Sequence, residues 1–275
     1  MTRRFLMILS PCVRRCTLML ALSLLAPGRT SALQVHAAPP DAPRSAPFFV
    51  GEALDYSVNV SLGGNVGTGQ MRVEGQVVER DVVTWKLVFE LEAGRGPIRA
   101  HDRTVSWLDP ARFIALRFEK TERHPLSRSE EHVIIEPDSG FFRDADGDRH
   151  QLGSALPLDE LSFMYFLRTL PLDRDTVFTI ARHFDPARNP TEVHVKGEEL
   201  VTTPVGIFRT RLVEMHVRDP KRYRGTGIIR LNIDLADCRV PVRIVSRMPI
   251  LGTTTLTLVG WAHPPRYPGA MPCEG

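Results

Sequence analysis

The sequence predicts a mainly β protein: a strongly curved antiparallel sheet or half-open barrel of about twelve strands, with one buried or lid-forming helix near residues 159–170. Three features predict it. From Phe48 to Trp261 the chain breaks into short stretches of alternating apolar and polar residues, separated by Gly, Pro, Asn and Asp; that spacing belongs to sandwiches and barrels. Gly67, Gly69 and Gly75 fall inside one such stretch, where a missing side chain marks a bulge, tight curvature or close backbone approach. A single segment, Leu156–Leu170, has the character of a helix apolar on nearly every side, and such helices are buried.

The first 37 residues read as a secretory signal. Arg3, Arg4, Arg14 and Arg15 form a basic region, Leu18–Leu25 is a short apolar run, and small residues follow. Cleavage is expected after Ala37, with Ala32 as the alternative; the apolar run is shorter than the ~20 residues of a bilayer span. Residues 38–47, APPDAPRSAP, form a Pro/Ala-rich leader. One β domain is expected over residues 48–262, followed by a Pro/Gly-rich tail over residues 263–275.

Strands are expected at Phe48–Leu62, Val66–Val78, Val82–Leu91, Ile98–Leu108, Phe113–Lys120 and Arg128–Ile135. Asp138-Ser139-Gly140 and Asp146-Gly147 are turns. In the helix, Asp159 caps the start, Glu160 and Arg168 suit the two ends of the dipole, and Pro171 stops it. Its roughly 18 Å length cannot cross a bilayer, so it is read as plugging or lidding the sheet. Six further strands follow: Thr176–His183, Thr191–Leu200, Ile207–Val217, Thr226–Asp234, Val240–Ser246 and Leu251–Trp261.

The formal charge of +3 is carried by the N-terminus. Without the five arginines of residues 1–37 the chain has 30 basic and 32 acidic residues, a net of −2, which gives no electrostatic reason to bind nucleic acid. Cys12 and Cys16 leave with the signal; Cys238 and Cys273 remain as a candidate disulfide in an oxidising compartment. There is no nucleophile elbow, phosphate loop, dinucleotide fingerprint or zinc-protease helix motif. The histidines lack helical ligand spacing, although strands distant in sequence can still bring them together. The DADGDRH stretch, Asp144–His150, has its glycine at the wrong position for a calcium loop and reads as a hairpin turn. No cofactor and no metal are expected.

Several segments taken in order resemble the exported-protein family catalogued as domain of unknown function 3108. They are Phe49-Val50-Gly51-Glu52 with Leu54 and Tyr56; Gly67 and Gly69; Ser106-Trp107; Arg117-Phe118-Glu119-Lys120; Leu161-Ser162, Tyr165, Leu167-Arg168 and Leu170-Pro171-Leu172; then Glu198, Thr202, Pro204, Gly206 and Phe208, and Pro241-Val242-Arg243-Ile244 before Gly252. The resemblance implies a mostly β protein of the Gram-negative envelope, and it brings no activity and no catalytic residues.

These readings converge on a periplasmic, non-enzymatic protein that holds an apolar or amphipathic, lipid-like envelope molecule between the curved sheet and the helix. Phe163, Tyr165 and Phe166 are the candidate lining residues, with Trp85 and Trp107 behind them. The alternative is an envelope assembly factor whose ligand is another protein, and an enzyme is the third reading. No nucleic acid is expected as a partner, and no transmembrane span once the signal is removed.

Overall fold

A computed structural model describes residues 35–37, 46–61, 63–125, 127–219, 225–248 and 252–262, all within one compact unit, Gln34–Gly275. Of the expected cleavage points, Ala37 closes the described stretch 35–37, while Ala32, the rest of the expected signal, residues 38–45 of the leader and the tail lie outside the described residues.

The strands are Val35–Ala37 (β1), Ala53–Val60 (β2), Gly64–Glu79 (β3), Val82–Arg95 (β4), Ile98–Asp109 (β5), Ile114–His124 (β6), Ser127–Glu136 (β7), Phe141–Arg143 (β8) and Arg149–Gln151 (β9). After the helix Glu160–Leu167 (α1) come Thr176–Ile180 (β10), Thr191–Thr203 (β11), Gly206–Asp219 (β12), Gly225–Asp234 (β13), Pro241–Met248 (β14) and Gly252–Ala262 (β15). All belong to one sheet, ordered β1-β10-β11-β12-β13-β14-β15-β2-β3-β4-β5-β6-β7-β8-β9. Every pairing is antiparallel except β1 with β10. The sheet is curved and does not close. It consists of two meanders, β2–β9 and β10–β15, joined edge to edge where Ala53 of β2 faces Ala262 of β15.

The twelve expected strands are present. The additional three, β1, β8 and β9, have three residues each, too few for an alternation to register. Register shifts interrupt the β11–β12, β13–β14, β15–β2, β2–β3, β3–β4 and β5–β6 ladders. Bulges of this kind bend and twist a sheet, which is how so many strands curl around one core. The glycine signal on β3 has its physical reason: a Cβ on Gly67 would lie 1.9 Å from the Glu92 carbonyl oxygen of β4, and Gly75 sits at the β3–β4 register shift.

Alternation places one residue set on the concave face. Leu54, Tyr56, Met71, Leu87, Val193, Met215, Leu231, Val242 and Leu258 join α1 in the main core. The helix starts where the sequence places its cap: the Asp159 side chain accepts from the Leu161 and Ser162 amides at 2.8 and 2.9 Å, and Ser162 Oγ accepts from the Asp159 amide at 2.9 Å. It is shorter than expected, ending at Leu167 in a tight turn that runs to Leu170. Residues 157–158 then tie the two wings. The Pro157 carbonyl accepts from the Ala115 amide at 2.8 Å, while Leu158 exchanges bonds with Arg182 and Phe184.

Arg168 departs from its expected role as a counter-charge to the helix end. It is fully buried, and its guanidinium donates to both oxygens of buried Glu52 at 2.7 Å each, to the Cys238 carbonyl at 2.7 Å and to the Arg239 carbonyl at 3.0 Å. Burial alone would lower its pKa; the facing Glu52 carboxylate holds it above its usual value.

Candidate ligand cavity

The same alternation that builds the core leaves it open at one end. Between the concave face and α1 lies a cavity of about 270 Å³. Val58 and Val60 of β2, Phe89 and Leu91 of β4, Met215 and Val217 of β12, Ile229 of β13, Ile244 of β14 and Leu256 of β15 line its apolar walls. The helix contributes Leu161, Phe163 and Met164.

A polar rim borders this apolar space. Asp102 of β5, Lys120, Glu122 and His124 of β6, Glu160 at the head of α1, and Arg188 and Asp219 all border it. The rim charges pair with one another: Lys120 Nζ lies 2.9 Å from Glu160 and 3.4 Å from Glu122, His124 Nε2 lies 2.7 Å from Asp102, and Arg188 bonds Glu160 and stands 3.7 Å from Asp219. These pairs connect β6, α1 and β12 around the opening.

Two wall groups, His183 and Thr254, each carry a buried polar atom with no hydrogen-bond partner among the described residues. His183 follows β10 and is 7% exposed. Its Nδ1 accepts the Asp185 amide at 3.0 Å, so the ring proton resides on Nε2. Nε2 is buried and has no partner among the described residues. Burial, and then the neighbouring Arg188 charge, push the His183 pKa down to about 4. At neutral pH it is an uncharged ring on the cavity wall with an unused donor. Its position is fixed by Asn189, whose side chain accepts from the His183 amide and donates to its carbonyl at 2.9 and 2.8 Å.

The proposed lining residues separate by face. Phe163 lines the cavity. Tyr165 and Phe166 are on the other side of the helix, at 0% exposure, with ring centroids 4.7 Å from Phe48 and 5.7 Å from Phe113. Trp85 packs on Phe48 at 5.9 Å. Trp107 clusters with Val88 and Val105 on the convex face under the Arg117 guanidinium. None of these four lines the cavity: Tyr165 and Phe166 are packed against Phe48 and Phe113, Trp85 against Phe48, and Trp107 against the convex face. Leu161, Met164, Phe89, Leu91 and His183 were missed as cavity residues. On a helix apolar all round, no local signal separates Leu161 and Met164 from the packed residues, and nothing local distinguishes His183.

Elsewhere, the paired Ser106 and Asp159 are both fully buried and committed to capping α1. Burial raises the Asp159 pKa to about 6 against the lowering effect of its hydrogen bonds from Ser106 and the helix start. In DADGDRH, Asp144 accepts the Asp146 and Asp148 amides and contacts His150 at 2.8 Å; Gly147 has φ 85°, as a tight turn requires. Cys238 is buried; Cys273 lies outside the described residues.

The family described as "Protein of unknown function (DUF3108)" matches residues 55–259. No curated protein matches the chain. Among solved structures, a β-barrel-like protein of domain of unknown function DUF1849 from Brucella abortus is 11% identical, with a TM-score of 0.48 over 79% of this chain and 99% of its own. A protein from Bacteroides fragilis described as exported, with a YmcC-like fold, is 13% identical, with a TM-score of 0.28 over 79% of this chain and 98% of its own. One from Parabacteroides distasonis described as a lipoprotein is 10% identical, with a TM-score of 0.29 over 81% of this chain and 100% of its own. At these identities and TM-scores no function passes to the present chain.

Proposed function

This chain belongs to the DUF3108 family of proteins of unknown function, a membership that brings no activity with it, and we propose that it is an exported periplasmic protein that binds a single-chain amphiphile. The observation that carries this reading is the cavity under α1: apolar walls, a self-paired ionic rim and, among the described residues, two wall groups, His183 Nε2 and Thr254 Oγ1, that are buried without a hydrogen-bond partner. An unsatisfied buried N–H costs about 1–3 kcal/mol, and a ligand carbonyl at His183 Nε2 recovers that cost. The volume, about 270 Å³, stands near the lower end of the ~300–1,000 Å³ of small-molecule sites, which suits one acyl chain better than a two-chain lipid. The ligand's apolar part occupies the walls formed by β2, β4, β12–β15 and α1, and its polar part meets His183 and the rim. The reading assigns no chemical step.

Export rests on the basic region, apolar run and small residues of the first 37 positions. A mature chain that begins at Ala38 lacks β1, which contributes three residues at one end of the sheet. In the periplasm we expect Cys238 and Cys273 to pair, tying the tail to the β13–β14 turn; peptide mapping without reductant should recover them as one cross-linked species.

The test is native mass spectrometry of protein purified from periplasm, followed by organic extraction and titration with a fluorescent fatty acid. A co-purifying amphiphile, or probe binding that Met164→Trp abolishes by filling the cavity, supports the reading. Wild-type protein that carries nothing and binds no probe sinks it. The second reading, a protein partner, is favoured by Leu200 and Ile207, 75% and 71% exposed near the end of the β11–β12 hairpin. A periplasmic complex lost in a Leu200→Ser/Ile207→Ser variant would support it.

A further inference from the structure

On the convex face, away from the cavity, the strand register assembles residues that the sequence shows only as scattered. Glu192 and His194 are two apart on β11 and share a face. Glu192 is directly opposite His216 of β12. Their inward neighbours, Val193 and Met215, belong to the core, so these three side chains lie on the outer surface. One donor atom from each lies within 4.8 Å of the others. His194 Nε2 is 3.4 Å from Glu192 Oε2, and the two imidazoles stack at 4.4 Å between centroids, 18° from parallel. His216 Nε2 is buried and has no partner among the described residues.

We infer that Glu192, His194 and His216 form a site for a divalent cation of the zinc class. Two imidazoles and one carboxylate are a donor set that suits zinc and its late first-row neighbours and does not suit calcium or magnesium. A tetrahedral ion with ligand bonds of about 2.0–2.2 Å holds its donors about 3.3–3.6 Å apart, so side-chain rotation of the order of an ångström closes the site without moving the strands. The cation gives His216 Nε2 the partner it lacks among the described residues. The charges nearby are already engaged: Glu214, opposite His194, pairs with Lys196 and Arg230, and Arg218 directs its guanidinium to the Asn189 carbonyl at 3.4 Å. The fourth coordination position faces outward and is left to solvent. Because the ligands come from adjacent strands, the ion clips β11 to β12 behind the cavity wall that Met215 and Val217 build.

The experiment uses the untagged exported chain, stripped with chelator and titrated with Zn²⁺ by calorimetry and with Co²⁺ by its visible absorption. The expected result is one equivalent bound and a raised melting temperature with zinc. Affinity should fall by more than about tenfold in each of Glu192→Gln, His194→Ala and His216→Ala, with circular dichroism unchanged. His150→Ala, at the exposed contact with Asp144, should bind as wild type does, and so should the cavity variant Met164→Trp. Absence of one-equivalent binding, or binding that survives substitution of either histidine of the site, overturns the proposal.

Discussion

At the scale of single residues, buried polar groups decide the energetics. Arg168 and Glu52 are 116 positions apart and wholly enclosed. Removing one partner strands a charge, so Glu52→Gln or Arg168→Ala should cost about 3–5 kcal/mol, read from denaturant midpoints, while an apolar double replacement recovers part of the loss. Tyr165 is the contrasting case: its hydroxyl is buried without a partner among the described residues, so Tyr165→Phe should be neutral or stabilise by about 1 kcal/mol. Asp159 and His183 set opposing pH dependences. Folding raises the Asp159 pKa to about 6, so its contribution is full below about pH 4 and is lost as pH rises to 6. Folding lowers the His183 pKa to about 4, so its contribution is full above about pH 6.5 and is lost as pH falls to 4. Each effect is on the order of 3 kcal/mol, and in the wild type they offset. Relative to wild type, Asp159→Asn should make stability climb with pH between 4 and 6.5, and His183→Gln should make it decline. Parallel pH–stability curves for the three proteins would contradict both assignments. The Glu52–Arg168 pairing was illegible in the sequence because only tertiary folding brings residues so far apart together.

At the scale of elements, legibility followed periodicity. The twelve longer strands alternate over enough residues to reveal their faces, and the Asp159 cap needs only local chemistry. The three-residue strands have too short a period to detect. The helix shows the reverse problem. Leu161, Phe163, Tyr165, Phe166 and Leu167 are all buried, so apolar character carries no information about which face meets the cavity, and the aromatic residues drew the prediction toward the packed side. Glycine was a reliable marker: Gly67→Ala should weaken the β3–β4 ladder and lower the melting temperature, because its Cβ would meet backbone and not a side chain that can yield. An unchanged melting temperature would mean that the two strands separate at no cost.

At the scale of the molecule, one core serves both wings. Residues of β2–β5 and of β10–β15 pack into the same cluster with α1. Unfolding should therefore be a single transition, with tryptophan fluorescence (Trp85 and Trp107 in one wing, Trp261 in the other) and far-ultraviolet dichroism coinciding. Two separated transitions would show that the wings are independent. The concave sheet and its helix were foreseeable from composition and spacing. The assembly of Glu192, His194 and His216 was not, since it depends on which residue of β12 lies opposite Glu192, and register is set by folding.

The β15–β2 ladder imposes a schedule on biosynthesis. A chain made from its N-terminus presents β2 among the first strands and β15 last, yet these two are hydrogen-bonded neighbours. Until the final residues arrive, β2 offers an unpaired edge to every other nascent copy, the kind of edge that recruits foreign strands. The newborn protein is therefore most vulnerable at a seam that is hidden in the finished one, and a holdase that covers an extended edge is the helper its topology calls for.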